Sequence, residues 1–316
     1  MPGGDDKNIE KTDTNSQFYS NFEPQNLMMQ SNRLKWLLLI ALALIWGSSF
    51  ILIKHGLDGL TPMQLGSVRI ICASCFLISI GFRSLPKIPL GKWKFMAITA
   101  LCGTFLPAYL FAIAETRIGS TISSVLNALT PVAALVLGIA AFGLSLRRAQ
   151  LIGVLVGLGG TMLLIFSGEA SDVNQDYRYA GFVLIATICY GLNVNLIKKY
   201  LSDLNPLTIS AGNSAIMILP AIIILASTGF FGTIDAEKVQ HAVMLVMILG
   251  IMGTGIANLL FYRLIQMASP VFATSVTYLI PIVAFFWGML DGEMLAPLQF
   301  VGALIILVGV YLSGKK

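Results

Sequence analysis

Ten runs of apolar residues, each about twenty residues long, dominate the sequence. A helix rises about 1.5 Å per residue, so each run can cross a hydrocarbon core about 30 Å thick. Charged residues make up only 11% of the chain, against about a quarter in soluble domains. The predicted fold class is therefore an all-α membrane protein with ten transmembrane helices. The predicted spans are 36–54, 62–81, 95–114, 119–142, 147–167, 178–197, 206–229, 241–264, 269–290 and 296–314.

An internal repeat relates the two halves of the chain. Residues 45–62 return 144 residues later as residues 189–206, with seven of eighteen positions identical. Agreement in several separate blocks is hard to attribute to shared apolar composition alone. Matching residues at offsets of 144, 150 and 149 include Gly47 with Gly191, Gly103-Thr104 with Gly253-Thr254, Pro131 with Pro281, Gly153 with Gly302, and Gly160 with Gly309.

Five helices in each half give an odd number of crossings, so the halves have opposite orientations. Such inverted-topology repeats are frequent in secondary transporters, where substrate binds near the midplane between the repeats. We expect a disordered cytoplasmic tail at 1–33, which is rich in polar residues. A first repeat of five helices at 34–167 and a second repeat of five helices at 168–316 follow it.

Lysine and arginine lie mostly on one side of the predicted membrane. With a cytoplasmic N-terminus, fifteen fall on the inner side and four on the outer side. This positive-inside bias predicts cytoplasmic termini, in a multi-pass protein of a bacterial plasma membrane. The basic excess sets topology and does not indicate a nucleic-acid partner. The expected partners are the lipid bilayer and a small-molecule substrate, and the sequence leaves the oligomeric state open.

Several segments resemble the EamA-type branch of the drug/metabolite transporter superfamily. They are IWGSSF at 45–50, the Arg69-Ile70 pair, YLIPIVAFFWGMLDGE at 278–293 and MLAPLQFVGALIILVGV at 294–310. The resemblance runs from about residue 36 to the C-terminus. It implies a transporter of small solutes such as amino acids or other metabolites, often in the outward direction.

Polar residues line one face of the fourth predicted helix and of its counterpart, the ninth. They follow the helical spacing i, i+4, i+7, i+11 on the fourth helix. These residues are candidate substrate contacts in a central cavity; the alternative is close helix packing, which small hydroxyl residues favour in lipid. The two faces comprise Ser120, Ser124, Asn127 and Pro131 on the fourth helix, and Pro270, Thr274, Thr277 and Pro281 on the ninth, with Tyr278 beside them.

The repeated stretch supplies a second pair of candidate faces. Trp46 and Ser49 lie i, i+3 on the first helix, and Tyr190 and Asn193 are their counterparts on the sixth. A buried amide such as that of Asn193 needs a partner or a water-filled space, because an unsatisfied amide is costly in lipid. We consider these four residues as substrate contacts, with hydrogen bonding between helices as the alternative.

Arg69 is a charge embedded in a predicted span. It lies seven residues after Pro62, about 10 Å below the outer boundary. Charges within spans usually face a cavity and have a partner, and Glu115 is the candidate partner. Arg69 would then anchor a carboxylate or phosphate of a substrate. The alternative is a side chain that snorkels to the outer headgroups.

Three prolines are candidate kinks or gates, because proline cannot donate a backbone hydrogen bond. They are Pro107, Pro131 and Pro281, and static curvature is equally compatible with them. Glu293, which precedes Pro297 by four residues, is interpreted as an ordinary helix start rather than a functional acid.

Missing motifs narrow the function further. The sequence has no P-loop, so we expect no direct drive by ATP. No acidic residue lies near the middle of a predicted span, so the usual carboxylate relay for proton coupling is not visible. Proton coupling through Glu115 at the rim and exchange with a counter-solute stay open. We expect no metal site, no cofactor and no enzymatic activity, because the spans lack a cluster of His, Asp or Glu. A non-transporting sensor or assembly protein, or a facilitator for import, remains as an alternative.

Deleting residues 1–33 separates transport from a tail-based interaction. We expect the truncated chain to transport its solute at the wild-type rate, measured as uptake into proteoliposomes. A truncation that inserts normally but loses all activity would favour the sensor or assembly alternative.

Overall fold

The structure is a computed structural model that describes residues 33–118, 120–145, 147–167, 176–290 and 297–314, and every regular element within those ranges is helical. In chain order the helices are α1 (Arg33–Gly56), α2 (Pro62–Lys87), α3 (Leu90–Ala114), α4a (Ser120–Asn127), α4b (Thr130–Phe142), α5 (Arg148–Phe166), α6 (Ala180–Leu201), α7 (Pro206–Ser227), α8 (Glu237–Met267), α9a (Pro270–Thr274), α9b (Val276–Leu290) and α10 (Pro297–Ser313).

Six of these helices, α1 to α3 and α6 to α8, are long and apolar enough to cross a membrane. The remaining apolar helices are shorter over their described residues. The predicted fourth and ninth spans are interrupted rather than continuous: α4a and α4b are separated by a turn at 128–129, and α9a and α9b by a turn at Ser275. Pro131 is the second residue of α4b, where its missing N–H leaves no intrahelical bond unmade. Pro281 lies inside α9b, away from the turn.

Equivalent prolines begin α2 and α7, and a side chain caps each start. Thr61 and Gln64 form a reciprocal capping box around Pro62, with distances of 3.3 and 3.0 Å. Asn205 precedes Pro206, and its Oδ1 accepts from the N–H of Leu207 at 2.9 Å. These caps satisfy N–H groups that have no partner within the helix.

The two halves pack through glycines whose contacts are reciprocal. A Cβ on Gly47 of α1 would lie 2.6 Å from Val283 Cβ on α9b. A Cβ on Gly191 of α6 would lie 2.8 Å from the Ala133 carbonyl carbon on α4b. Gly191 is the repeat equivalent of Gly47, and Val283 lies 150 residues after Ala133. Each half therefore presents the same glycine to the same helix of the other half.

The direction of α1 and of α6 is visible from their contacts with α8. Gly56, at the end of α1, lies against Val246 near the start of α8. Lys198, near the end of α6, donates to the carbonyls of Ile265, Gln266 and Ala268 at the end of α8, at 2.8 to 3.0 Å. The C-terminal ends of the two equivalent helices thus lie at opposite ends of α8.

Helices α5 and α10 join the halves backbone to backbone. A Cβ on Gly309 would lie 2.3 Å from the Gly157 nitrogen, and one on Gly160 would lie 3.0 Å from the Gly302 carbonyl oxygen. Small residues allow such close approach, which association of helices within lipid depends on.

Two sequence-based interpretations lie outside the described residues. They are the tail, of which residues 1–32 are not described, and the cap assigned to Glu293. Arg33, placed at the end of the tail, is the first residue of α1.

Substituting Gly309 with alanine tests the α5–α10 contact. The added methyl meets backbone atoms of Gly157, so we expect a loss of about 1–3 kcal/mol and a lower thermal midpoint in detergent. Gly159→Ala is the matched control, because a Cβ there meets nothing within 4 Å; we expect it to be neutral or slightly stabilising. Equal midpoints for the two variants would contradict the contact.

Candidate functional site

A cavity of about 90 Å³ lies between the helices of the two halves. Its walls come from α1, α2, α3, α4a, α4b, α6, α8, α9a and α9b. The structure brings eight of the ten sequence-predicted substrate contacts to these walls: Trp46, Ser49, Arg69, Asn127, Tyr190, Asn193, Thr274 and Thr277.

The other two predicted contacts, Ser124 and Tyr278, are buried but do not line the cavity. The Tyr278 hydroxyl donates to the Val154 carbonyl on α5 at 3.0 Å, and its ring lies against Gly157. A side chain one position after Thr277 points about 100° further round the helix. Tyr278 therefore packs against α5 rather than against the cavity.

Two segments of π-helix form part of the cavity wall. They are Leu101–Phe105 within α3 and Leu249–Ile256 within α8. Helical irregularities of this kind are frequent at functional sites. Pro107 lies two residues after the first segment, and it has no N–H to donate to the Gly103 carbonyl, so an irregular helix is expected there. The repeat equivalent of Pro107 beside the second segment is Ala257, which has an N–H. The irregularity therefore does not require a proline.

Repeat-equivalent side chains lie against repeat-equivalent glycines across the cavity. A Cβ on Gly253 would lie 2.7 Å from Ser49 Oγ, and a Cβ on Gly103 would lie 2.6 Å from Asn193 Cγ. Trp46 adds a hydrogen bond from Nε1 to the Gly253 carbonyl at 2.9 Å. Gly103 lies in the π segment of α3, and Gly253 lies in the π segment of α8. The contact between α1 and α8 is therefore the repeat equivalent of the contact between α6 and α3.

Arg69 reaches from α2 to α8. Its Nε donates to Thr254 Oγ1 at 2.7 Å, and its side chain lines the cavity. Glu115 interacts with Arg69 electrostatically without being part of the wall. The structure thus places the guanidinium in the cavity rather than among the outer headgroups.

The amides in the cavity differ in how they are bonded. Asn127 Oδ1 accepts from Thr130 Oγ1 at 3.2 Å, and Asn258 Nδ2 donates to Thr104 Oγ1 at 3.1 Å. Asn193 is 2% exposed, and its Oδ1 has no hydrogen-bond partner among the described residues. Asn195, two residues on, donates to the carbonyls of Ala134 and Gly191 at 2.8 Å and joins helices instead.

The cavity also contains residues that were not among the predicted contacts. Gly103, Thr104, Gly253, Thr254 and Asn258 come from the π segments and the residues after them. The sequence feature that could have identified them is the match of Gly103-Thr104 with Gly253-Thr254. That match marks a repeated pair, but it does not show which side of the helix faces a cavity.

Different contacts join the helices at the two ends of the bundle. At one end, Lys92 Nζ donates to the Tyr200 carbonyl at 2.6 Å and to Asp203 Oδ1 at 2.8 Å, and Phe95 stacks on Tyr200 with centroids 4.1 Å apart. The hydrogen bond from Lys92 holds the pKa of the Asp203 carboxyl below its usual value. The contact is therefore present at neutral pH and is lost as the pH falls through that lowered pKa.

At the other end α1 meets α8 without an ion pair between them in the described structure. A Cβ on Gly59 would lie 2.4 Å from the Lys238 carbonyl, and a Cβ on Gly56 would lie 2.8 Å from Val246. Gly56 and Gly59 are the repeat equivalents of Tyr200 and Asp203. Equivalent helix ends thus make contacts at both ends of the bundle, by backbone approach at one and by charge and ring stacking at the other.

The sequence profile of the EamA-like transporter family matches residues 34–166 and 178–314. The chain belongs to the EamA-like transporter family. Membership and the names of its relatives describe a transporter rather than an enzyme, as the sequence predicted.

Relatives of this EamA-like transporter include bacterial membrane proteins. "Uncharacterized inner membrane transporter YedA" of Escherichia coli (strain K12) is 27% identical over 285 residues, which cover 87% of this chain and 88% of that protein. "Probable amino-acid metabolite efflux pump" of Salmonella typhimurium is 26% identical over 291 residues, covering 87% and 93%. A crystal structure of another protein has the same fold, with a TM-score of 0.68 at 16% identity, over 87% of this chain and 94% of that one.

Within the described ranges, no group of three or more His, Cys, Asp or Glu side chains is placed to hold a metal ion.

Cysteine labelling tests which side chains the cavity exposes to water. In a background with the four native cysteines replaced by alanine, we expect Asn127→Cys and Thr277→Cys to react with a water-soluble maleimide. Ser123→Cys and Ser275→Cys are matched controls, since both serines are fully buried away from the cavity. Protection of Asn127→Cys and Thr277→Cys equal to that of the controls, with and without substrate, would contradict the cavity.

Proposed function

We propose that this chain is a secondary transporter that moves small metabolites, amino acids or related solutes, out across the membrane by alternating access. The observation that carries the proposal is the cavity between the two family-matched segments, which places polar side chains in a mainly apolar wall. A sensor would need a binding site, but it would not need repeat-equivalent helix contacts at both ends of the bundle.

Three features support ten transmembrane helices in two inverted five-helix repeats. The family profile matches the chain twice. The contacts of Gly47 and Gly191 are reciprocal, and so are those of Ser49 and Asn193. The equivalent helices α1 and α6 end at opposite ends of α8. An inverted repeat accounts for the double match, the reciprocal contacts and the opposite helix ends together.

Alternating access needs two closures that can each open. The α1–α8 and α3–α6 contacts are repeat-equivalent and lie at opposite ends of the bundle, so exchanging their conformations would expose the cavity to one side and then to the other. In this proposal residues 34–167 and 168–316 are the units that rock, and Pro107, Pro131 and Pro281 mark helices that change shape. The termini are cytoplasmic, in a bacterial plasma membrane.

Outward transport of amino-acid metabolites is the activity that the name of the Salmonella relative describes, and we extend it to this chain as part of the proposal. A proton gradient or a counter-solute would supply the free energy.

Flux in proteoliposomes tests the proposal. Metabolite profiling inside and outside cells that overproduce the protein selects the solute, and its flux is then measured with and without a pH gradient. We expect flux above that of empty liposomes, and a several-fold reduction for Thr277→Val, which removes one hydroxyl from the cavity wall. Ser275→Ala removes a buried hydroxyl outside the wall and should leave flux unchanged.

No flux for any solute in a broad panel, with correctly inserted protein, would overturn the proposal and favour the sensor alternative. Flux that is independent of every gradient except that of the solute itself would favour a facilitator.

A further inference from the structure

The described part of the cavity wall carries charge of only one sign. Arg69 is the only ionised side chain among the described residues that line it, and the wall contains no carboxylate. A substrate ammonium would have no opposite charge to meet inside the cavity, whereas a substrate anion would meet a guanidinium. Glu115 interacts electrostatically with Arg69 and is not among the residues of the wall, so a ligand inside the cavity meets the guanidinium and no carboxylate.

Arg69 is oriented so that its donors remain available. The bond from Nε to Thr254 fixes the plane of the guanidinium. Neither Nη group has a hydrogen bond within the described structure, and both belong to a side chain that lines the cavity. Two Nη groups held in this plane match the two oxygens of a carboxylate.

Two amides add further hydrogen-bonding groups. Asn127 uses Oδ1 to accept from Thr130, which leaves its Nδ2 as a donor for a ligand. Asn193 is 2% exposed and lines the cavity, and its Oδ1 accepts no hydrogen bond within the described structure. A buried amide oxygen without a partner is costly, so Asn193 indicates a ligand that also donates through a neutral hydroxyl or N–H.

The hydroxyls and rings of the wall fit the rest of such a ligand. Thr274 and Thr277 donate to helix carbonyls, so their oxygens remain as neutral acceptors for a hydroxyl or an N–H. The apolar surface comes mainly from Trp46, Phe50, Phe111 and Phe261, and it can cover a hydrocarbon or aromatic portion. The neutral acceptors do not compensate a full positive charge, which makes a zwitterion the closest competitor.

We propose that the cavity selects small organic monoanions, with a carboxylate bound by Arg69 and the apolar portion against the aromatic wall, in preference to zwitterions and cations. This inference rests on the proposed function and narrows its solutes: the cavity would favour related carboxylates without an ammonium group over the amino acids themselves.

Binding of four probes that share a phenyl group tests the charge preference. They are hydrocinnamate, its neutral amide, phenylalanine and phenethylamine, titrated into the purified full-length protein in nanodiscs by calorimetry at neutral pH. We expect hydrocinnamate to bind at least about tenfold more tightly than the other three probes. A hydrogen-bonded pair of opposite charges accounts for a difference in affinity of this size.

Variants of Arg69 assign the preference. Arg69→Gln should abolish the advantage of hydrocinnamate, whereas Arg69→Lys should retain it with weaker binding, because lysine keeps the charge but not the planar donors. Arg83→Gln removes an exposed arginine outside the cavity and should change nothing. Thr254→Val keeps the charge but frees the guanidinium, and should weaken hydrocinnamate binding several-fold even if Arg69→Gln does not fold.

Three results would overturn the inference. They are equal or tighter binding of phenylalanine or phenethylamine, an undiminished preference for hydrocinnamate in Arg69→Gln, and binding of none of the probes by protein that transports another solute in liposomes. Each leaves transport itself intact, so failure of the substrate class is separable from failure of the proposed function.

Discussion

The structure depends on close backbone contacts at glycines where the two halves meet. Lipid is as apolar as a leucine side chain, so burial gives helices in a membrane little reason to associate, and close packing must replace it. Gly47 and Gly191 admit the opposing helix, and Gly103 and Gly253 admit Asn193 and Ser49. Without these approaches the polar side chains of α1 and α6 would not reach the centre of the bundle.

The sequence predicted much of this fold because the physics that sets it is local or repeated. Length and apolarity marked the membrane-crossing helices, and the 144-residue repeat identified Trp46, Ser49, Tyr190 and Asn193 as one set. These four side chains line the cavity together. The repeat grouped these four residues because equivalent positions in two copies of one structural unit have equivalent surroundings.

Other features could not be predicted, because they depend on which way a helix is turned. Ser124 satisfies the spacing of the polar stripe but does not line the cavity, and Tyr278, predicted beside the stripe, packs against α5. The π segments shift the face that α3 and α8 present, and nothing in residues 101–105 or 249–256 distinguishes a π turn from an α turn. The interruption at 128–129 comes just before Pro131, whereas the one at Ser275 has no proline within four residues of it.

The two closures use different chemistry in equivalent places. Glycines hold α1 against α8 through shape, whereas Lys92 and Asp203 hold α6 against α3 through charge. An exposed ion pair contributes little stability and is easily exchanged for water. The α3–α6 end is therefore the one we expect to respond first to a change in charge.

Distance distributions across the α3–α6 end test the alternation of the two closures most directly. Spin labels at Gly91 and Ser202, both exposed, would report that separation in proteoliposomes by pulsed dipolar spectroscopy. The account predicts a short and a long population, with the long one enlarged in Asp203→Asn and in acid below the pKa of the Asp203 carboxyl. A single distance that is the same in wild type and Asp203→Asn, with and without substrate and at either pH, would contradict it.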